Sequence, residues 1–290
     1  MYLGVHVSIS GHIYEAPDRA ARLGCTAMQI FSRNPRQWRQ APISEQDALE
    51  FRRSLRASGV KAVAVHIPYL INLATCYDTL YKRSIDSYIE DMHETAALGA
   101  QYLVTHMGSF KNSTLQRGLK RFIEALDIIF SQTKGLTGVK LLLENTSGSG
   151  SWLGSTFDHH RIIFDRVSDN SRLGICLDTA HAFAAGYDIR RPEVFDGLLD
   201  SIDVKVGKEA LHLVHLNDSM SDCGTHIDRH DHIGKGFIGL KAFGHIVNHP
   251  YLKDAAFILE TPKDTPRDDK LNLNRVRKLL TGKKRIKNGI

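Results

Sequence analysis

Eight short apolar segments, each separated from the next by a longer amphipathic stretch, run through the whole 290-residue sequence. The segments are 2–7, 26–31, 60–66, 101–106, 139–144, 173–178, 211–216 and 255–260. Because their apolar residues form continuous runs, they are typical of parallel strands that are buried on both faces. Eight strand–helix units over this length predict a single (β/α)8 TIM barrel. The alternative fold is a doubly wound open sheet.

The intervening stretches have the apolar spacing of helices, and we expect helices near 79–98, 157–168, 192–204, 239–249 and 271–280. Two further helix starts are predicted from capping patterns, Ser44 with Asp47 and Ser113 with Gln116. With no linker-like composition, residues 1–282 are predicted to form one barrel domain. The basic residues 283–290 are predicted to be a short solvated tail.

Composition narrows the class of protein. Hydrophobic residues make up 42% and charged residues 24%, which is typical of a globular chain. The formal charge of +6 weakly favours a polyanionic partner. No apolar run reaches the ~18 residues of a membrane span, and the N-terminus lacks a signal-peptide pattern. Four cysteines without a C-x-x-C pair argue against disulfides and thiolate zinc sites, so a cytoplasmic location is expected.

The presence of 15 histidines favours metal binding, because histidine is the commonest metal ligand. Six successive predicted strands, the third to the eighth, finish at or near a residue that can bind a cation. These residues are His66, His106, Glu144, Asp178, His215 and Glu260. In a barrel, all of these strand ends meet at the C-terminal face, where active sites lie.

Three more candidates follow strand ends. His181 comes three residues after Asp178, and Asp228 and His230 form a D-x-H pair whose side chains can point the same way in an extended segment. The nine donors are five imidazoles and four carboxylates, which suit Zn²⁺, Mn²⁺ or Fe²⁺ better than Mg²⁺ or Ca²⁺. Since a catalytic zinc takes about three protein ligands, nine donors suit three ions. Two zincs with additional carboxylates outside the coordination sphere are the alternative.

Clustered divalent ions with such ligands are typical of enzymes that hydrolyse phosphodiesters. A polyanionic substrate calls for a positive rim, and Arg33, Arg36, Lys111, Arg229 and Lys235 are candidates. Trp38 and Tyr69 could stack on a base or sugar. Residues 234–239 match G-x-G-x-x-G only weakly because no strand precedes them, although the helix start there could hold a phosphate.

Long segments of the chain resemble the endonuclease IV family of apurinic/apyrimidinic endonucleases. The likeness runs from GVHVS (4–8) to LETP (259–262). It is carried by RNPRQW (33–38), HIPYLINLA (66–74), LENTSGSGSWLG (143–154), GICLDTAHAFAAGYD (174–188), HLNDS (215–219) and DRHDHIGKG (228–236). Two positions depart from the family pattern, Met107 where proline is usual and Ala180 where cysteine is common. Neither change removes a candidate ligand.

The resemblance implies a TIM barrel with three zinc ions. His66 and His106 would hold one zinc, with Glu144 bridging it to a second. Asp178, His215 and Glu260 would complete the second zinc site. The third would be formed by the remaining candidates, His181, Asp228 and His230.

The implied reaction is cleavage of the DNA backbone 5′ to an abasic site, which leaves a 3′-hydroxyl, together with removal of groups that block 3′ ends. Glu144 and Glu260 are the carboxylates to which we assign catalytic roles, while Arg36, Tyr69 and Leu70 would contact the DNA at the lesion. A monomer is sufficient for this activity. Two other functions stay open, a metal-dependent sugar isomerase or epimerase and a non-catalytic DNA-binding protein with structural zincs.

Overall fold

The computed structural model describes residues 1–38 and 42–281. The barrel strands are β1 (Tyr2–His6), β2 (Ala27–Phe31), β3 (Ala62–His66), β4 (Tyr102–His106), β5 (Lys140–Glu144), β6 (Leu173–Asp178), β7 (Leu211–His215) and β10 (Ala256–Leu259). These eight parallel strands close into a barrel in the order β1-β10-β7-β6-β5-β4-β3-β2, which confirms the predicted (β/α)8 fold and rules out an open sheet. Two short strands, β8 (Asp218–Ser219) and β9 (His230–Asp231), pair antiparallel outside the barrel.

Helices follow the barrel strands along the chain. They are α1 (Ala16–Arg22), α2 (Glu45–Ser58), α3 (Asp78–Leu98), α4 (Leu115–Gln132), α5 (Phe157–Arg166), α6 (Thr179–Ala184), α7 (Pro192–Val206), α8 (Gly239–Asn248) and α9 (Asp268–Leu279). Within residues 1–38 and 42–281, no helix has both the length and the apolar character that crossing a membrane requires. The predicted basic tail, 283–290, lies outside the described residues.

One of the two predicted helix caps is confirmed. Ser44 caps α2, and its side chain accepts a 3.0 Å hydrogen bond from the N–H of Asp47. The other prediction is wrong by one residue, because Thr114 and not Ser113 caps α4. Ser113 belongs instead to the preceding turn, where its N–H donates to the carbonyl oxygen of Phe110. Adjacent Ser and Thr residues have the same capping chemistry, so only the backbone conformation distinguishes them.

The barrel interior is filled by every second residue of the strands. An apolar cluster inside it is formed by Ala27, Ala62, Ala64, Val104, Leu142, Cys176, Leu213, Ala256 and Ile258. Because side chains alternate between the two faces of a strand, the next inward position lies two residues further along. In β3 to β7 and just after β10, that position is a histidine or a carboxylate. The alternation therefore places one ionisable side chain per strand directly above the apolar interior.

The same alternation extends to β1 and β2. Gly4 and Ala27 are the inward neighbours in these strands, and His6 and Gln29 take the next inward positions at the C-terminal face. A Cβ atom on Gly4 would lie 1.7 Å from the carbonyl oxygen of Ala27, so any other residue would force the two strands apart. The close approach of β1 and β2 brings His6 and Gln29 to the rest of the site.

The described cysteines are all unpaired, and Cys25 and Cys176 are buried. Burial raises the pKa of the Cys176 thiol to about 12, so this side chain is a neutral part of the barrel interior. A thiolate role for Cys176 is therefore inconsistent with its surroundings.

Candidate metal centre

A first group of donors lies at the ends of β3, β4 and β5. The Nε2 atom of His66 lies 3.1 Å from Oε2 of Glu144, and the Nε2 atom of His106 lies 3.7 Å from the same oxygen. His66 and Glu144 are buried, while His106 is partly exposed to the cleft above. Two imidazoles and one carboxylate oxygen thus converge on a space of the size that a metal ion occupies.

A second group shares the other oxygen of the same carboxylate. Nδ1 of His215 lies 2.9 Å from Oε1 of Glu144, 3.2 Å from Oε2 of Glu260 and 3.9 Å from Oδ2 of Asp178. The donor atoms of these four residues all lie within 4.8 Å of one another. Glu144 therefore stands between the first and second groups, with one oxygen directed to each.

A third group combines α6 with β9 and the segment before it. Nε2 of His181 lies 3.1 Å from Asp228, while Nε2 of His230 lies 3.5 Å from Asp228 and 3.6 Å from Asp178. Asp178 also caps α6 by accepting a 2.7 Å hydrogen bond from the N–H of His181, which fixes the start of the helix. Pairing of Ser219 with His230 holds the D-x-H segment against the barrel mouth.

The orientation of the histidine rings leaves metal-binding nitrogens directed into the site. Nδ1 of His66 lies 2.8 Å from the carbonyl oxygen of Ile67, and Nδ1 of His181 lies 2.9 Å from that of Asn145. These carbonyls accept hydrogen bonds from the Nδ1–H groups, so that each Nε2 is the nitrogen that faces the carboxylates of the site. Among the described residues, Nε2 of His230 is buried without a hydrogen-bond partner. The donors therefore fit divalent transition metals of the imidazole- and carboxylate-binding class.

Two residues outside the predicted set, His6 and Gln29, complete the ring of inward side chains. The amide oxygen of Gln29 lies 2.8 Å from Nε2 of His215. Its amide nitrogen donates to the Glu260 carboxylate and lies 3.0 Å from Nδ1 of His6. Neither His6 nor Gln29 stands at the last residue of its predicted segment. The signal that could have found them is the two-residue periodicity of the inward positions.

Two asparagines outside the predicted set orient the carboxylates. The side chain of Asn145 pairs with both backbone polar groups of Asp178, at 3.1 Å and 2.7 Å. Asn217 donates to the Asp178 carboxylate at 2.7 Å and accepts from the N–H of Glu260 at 2.8 Å. Both asparagines are buried, so their hydrogen bonds fix the positions of Asp178 and Glu260 without competition from water.

The charges of the site balance one another through close contacts. Burial alone would raise the pKa of Glu144, but the facing His106 and His215 hold it well below its usual range. Burial likewise opposes ionisation of Glu260, and His215 again holds its pKa well below the usual range. Burial lowers the pKa of His106 despite the neighbouring Glu144. The two glutamates are therefore ionised and ready to bind a cation.

The donors open into a cleft of about 300 Å³ with aromatic walls. Tyr69 is 65% exposed at its edge, and its ring lies 5.5 Å from that of Phe31. The ring of Trp152 lies 6.0 Å from that of His106. Trp152 was not among the predicted aromatic candidates, although it follows the glycine- and serine-rich segment 147–151.

The other predicted contact residues occupy different surroundings. Arg36 is exposed in the turn after β2, and Leu70 is half-buried next to Tyr69. Four of the five candidate rim cations are exposed, namely Arg36, Lys111, Arg229 and Lys235. Trp38 is partly buried beneath Arg83, whose guanidinium lies 4.4 Å from the ring.

Arg33 does not lie on the rim. It is 5% exposed and pairs at 2.7 Å with the fully buried Asp91 of α3. Its guanidinium also donates to the hydroxyl of Ser87, while Ser32 donates to the other oxygen of Asp91. Because a buried arginine needs such partners, Arg33 anchors the loop that carries Arg36 and is unavailable to a substrate.

The glycine-rich segment 234–239 is likewise not free to hold a phosphate. The buried carboxylate of Asp218 accepts hydrogen bonds from the N–H groups of Gly234, Gly236 and Ile238, at 2.8, 3.1 and 2.9 Å. A Cβ on Gly236 would lie 2.3 Å from the carbonyl oxygen of Ser219, so the loop requires glycine there. An internal carboxylate thus occupies the position that an external anion would take.

Comparison with known proteins places this geometry in a family. Residues 17–281 match the family model of xylose isomerase-like TIM barrels. A protein of Halothermothrix orenii named "Probable endonuclease 4" is 43% identical over 94% of this chain and 98% of its own length. One of the same name from Methanosphaerula palustris is 43% identical over 96% of this chain and 97% of its own length. The chain belongs to the endonuclease IV family.

Solved structures agree with this membership. Endonuclease IV from Thermus thermophilus superimposes with a TM-score of 0.86 at 35% identity, over 96% of this chain and 98% of the other. A D-tagatose 3-epimerase-like protein superimposes with a TM-score of 0.75 at 19% identity, over 96% of this chain and 97% of the other. The second likeness reflects the shared barrel fold alone.

Proposed function

We propose that this member of the endonuclease IV family is a zinc-dependent DNA-repair nuclease. It would hydrolyse the phosphodiester 5′ to abasic sites in duplex DNA, leave a 3′-hydroxyl and trim blocked 3′ ends. The observation that carries the proposal is that the three donor groups are contiguous at one barrel mouth: the first and second share Glu144, and Asp178 of the second lies 3.6 Å from His230 of the third. Adjacent metal positions are what in-line displacement at a phosphate requires.

The nine predicted ligands divide among three zinc positions in this proposal. His66, His106 and Glu144 hold the first, and His181, Asp228 and His230 hold the third. The second is held by Glu144, Asp178, His215 and Glu260. Asp178 also approaches His230 at 3.6 Å, so it stands beside the third position as well.

When bound, the zinc ions supply activation of a water molecule at neutral pH and neutralise charge on the phosphate. Glu144 keeps the first two positions together through its two ionised oxygens. The Gln29 amide donates to the Glu260 carboxylate, and the Asn217 side chain accepts from the Glu260 N–H, so both the side chain and the backbone of Glu260 are held. Carboxylates fixed in this way would hold the cations in place without having to reorganise while charge develops on the phosphate.

Residues around the donors would bind and orient the DNA. The cleft continues into a groove of about 780 Å³ between the loops that follow β1 and β2. Lys263 lies where the two meet, with its ammonium held by the carbonyl oxygen of His6 and the carboxylate of Asp269. In our proposal Arg36 contacts the backbone, while Tyr69 and Leu70 support the DNA at the lesion. Tyr69 has a free ring face suited to stacking.

The experiment is a nicking assay with a 5′-labelled duplex that contains one abasic analogue, with zinc content measured on the same protein sample. We expect a single cut 5′ to the lesion and a product that a polymerase extends, since it ends in a 3′-hydroxyl. An exposed-residue variant, His93→Gln, serves as the control and should cut equally well. Zinc-loaded protein that leaves the duplex intact would refute the proposal. Turnover of a keto sugar by that same sample would favour an epimerase.

A further inference from the structure

A second set of metal-binding side chains lies away from the barrel mouth, between α7 and α8. It consists of Asp196 on α7 and of His245 and His249, which are four residues apart at the end of α8. Nε2 of His245 lies 2.8 Å and Nε2 of His249 lies 3.3 Å from the same oxygen of Asp196. None of the three lines the cleft above the nine donors.

We propose that Asp196, His245 and His249 form a separate binding site for a divalent transition cation such as Zn²⁺. Two imidazoles and one carboxylate are a zinc ligand set that leaves a fourth position for water. In a tetrahedral site with normal bond lengths, ligand atoms lie about 3.3 Å apart. The His249–Asp196 separation already has this value, and the His245–Asp196 separation needs to widen only slightly.

The surroundings favour a cation over an anion or a neutral ligand. The buried ring of Phe195 lies 5.9 Å from the ring of His245 and 5.8 Å from that of His249, so it closes one side of the cluster. Asp196 is half-exposed, which leaves the other side open to entry from solvent. Asp200, one helical turn further along α7, adds a second negative charge that acts on His249.

One existing hydrogen bond changes when a metal binds. Nδ1 of His249 accepts from the N–H of Tyr251 at 3.2 Å, which leaves the proton of the neutral ring on Nε2. Metal binding at Nε2 moves that proton to Nδ1 and breaks this bond, which weakens metal affinity by about fivefold. Burial lowers the pKa of His249 against the opposing effect of Asp196, so the ring is neutral at pH 7 and no further proton must leave it.

The experiment compares zinc content after equilibrium dialysis of the full-length chain. The wild type should bind one more zinc ion than His245→Gln/His249→Gln. Asp196→Asn keeps the size and the hydrogen-bond acceptor of the side chain, so it should stay folded and lose the same ion. The control His12→Gln/His93→Gln changes two exposed histidines and should bind as much zinc as the wild type.

Thermal unfolding provides a second readout. Because the ion would join two helices, added zinc should raise the unfolding midpoint of the wild type more than that of either site variant. Nicking of an abasic duplex should be equal in all four proteins, since the barrel mouth is untouched. Equal zinc content in the wild type and both site variants would overturn the inference and identify the cluster as hydrogen-bonded only. That comparison stands whether or not the duplex is cut.

Discussion

The amide oxygen of Gln29 lies 2.8 Å from Nε2 of His215. The amide oxygen accepts a hydrogen bond from the Nε2–H of His215, which leaves Nδ1 facing Glu144 and Glu260 as the nitrogen available to a metal ion. Gln29 also donates to Glu260, so one side chain orients two candidate ligands. A residue outside the proposed ligand set thereby sets which nitrogen of His215 faces the site and restrains the rotation of the Glu260 carboxylate.

Gln29→Ala should therefore lower zinc affinity by about 10–100-fold, the usual effect of losing a partner that orients a ligand. Zinc titration followed by activity recovery measures this change, and Gln132→Ala on the exposed end of α4 is the control. Gln29→Glu keeps an acceptor for His215 but places a negative charge beside Glu260, so it should not restore full affinity. Unchanged zinc affinity in Gln29→Ala would contradict the positioning role.

Glu144→Gln should abolish most metal binding at two positions at once. The amide keeps the side-chain size but has only one acceptor atom and no charge, whereas Glu144 directs one oxygen to each donor group. We expect nicking activity to fall by more than the roughly 10–100-fold loss that follows removal of a residue that only orients a ligand. Metal analysis on the same sample is decisive, with exposed Glu45→Gln as control. Near-normal turnover with full metal content would refute the bridging role.

Asp228→Asn should remove one ion and leave the others. Asp228 contacts only the third group, where it lies 3.1 Å from His181 and 3.5 Å from His230, and it is half-exposed. We expect zinc content to fall by one per chain, with little change in the free energy of unfolding of the metal-free protein. Asp222→Asn in the same loop is the matched control. Loss of all zinc from Asp228→Asn would show that the three groups do not fill independently.

Arg36→Ala and Tyr69→Ala should weaken DNA binding without changing metal content. Because Arg36→Ala removes one phosphate contact, the slope of log affinity against log salt concentration should become shallower by about one. Loss of stacking in Tyr69→Ala should weaken binding by about 1–3 kcal/mol. Fluorescence titration with an abasic duplex at several salt concentrations measures both. Arg117→Ala and Tyr77→Ala alter exposed residues outside the cleft and should bind normally. Equal salt slopes for Arg36→Ala and wild type would place Arg36 away from the phosphates.

His160 should make the fold less stable in acid. Its side chain is fully buried, and burial lowers its pKa from 6.5 to about 3. Below pH 6.5 the unfolded chain therefore binds a proton that the folded chain excludes until pH 3. Stability should fall by about 1.4 kcal/mol per pH unit over this window.

Denaturant unfolding of metal-free protein at several pH values tests this prediction. The neutral variant His160→Gln should show a shallower loss of stability with acid than the wild type, whatever its stability at pH 7. His93→Gln, which changes an exposed residue, should keep the wild-type slope. Parallel pH profiles for wild type and His160→Gln would show that His160 does not contribute.

The barrel and much of the candidate site could be predicted because they depend on the order of residues and strand segments along the chain. The strand segments that end in His66, Glu144 and Asp178 follow from apolar runs, and the convergence of their ends follows from the parallel barrel. The family likeness rested on contiguous residues and is confirmed by relatives at 43% identity. Local sequence therefore determined the candidate ligands at the mouth, but not His6 and Gln29 beside them.

Only the tertiary structure decided which neighbours orient those residues and which charges reach solvent. Gln29 meets His215 across 186 positions of sequence, and Arg33 is buried against Asp91 although its loop is otherwise polar. Asp218 similarly takes the N–H groups of the glycine-rich loop that an anion would otherwise use. Such contacts join segments that are far apart along the chain. The residues next to a hydrogen-bonding or charged side chain in the sequence do not specify which residue will be its partner. Burial and pairing arise only when the closed barrel fixes the distances between strands.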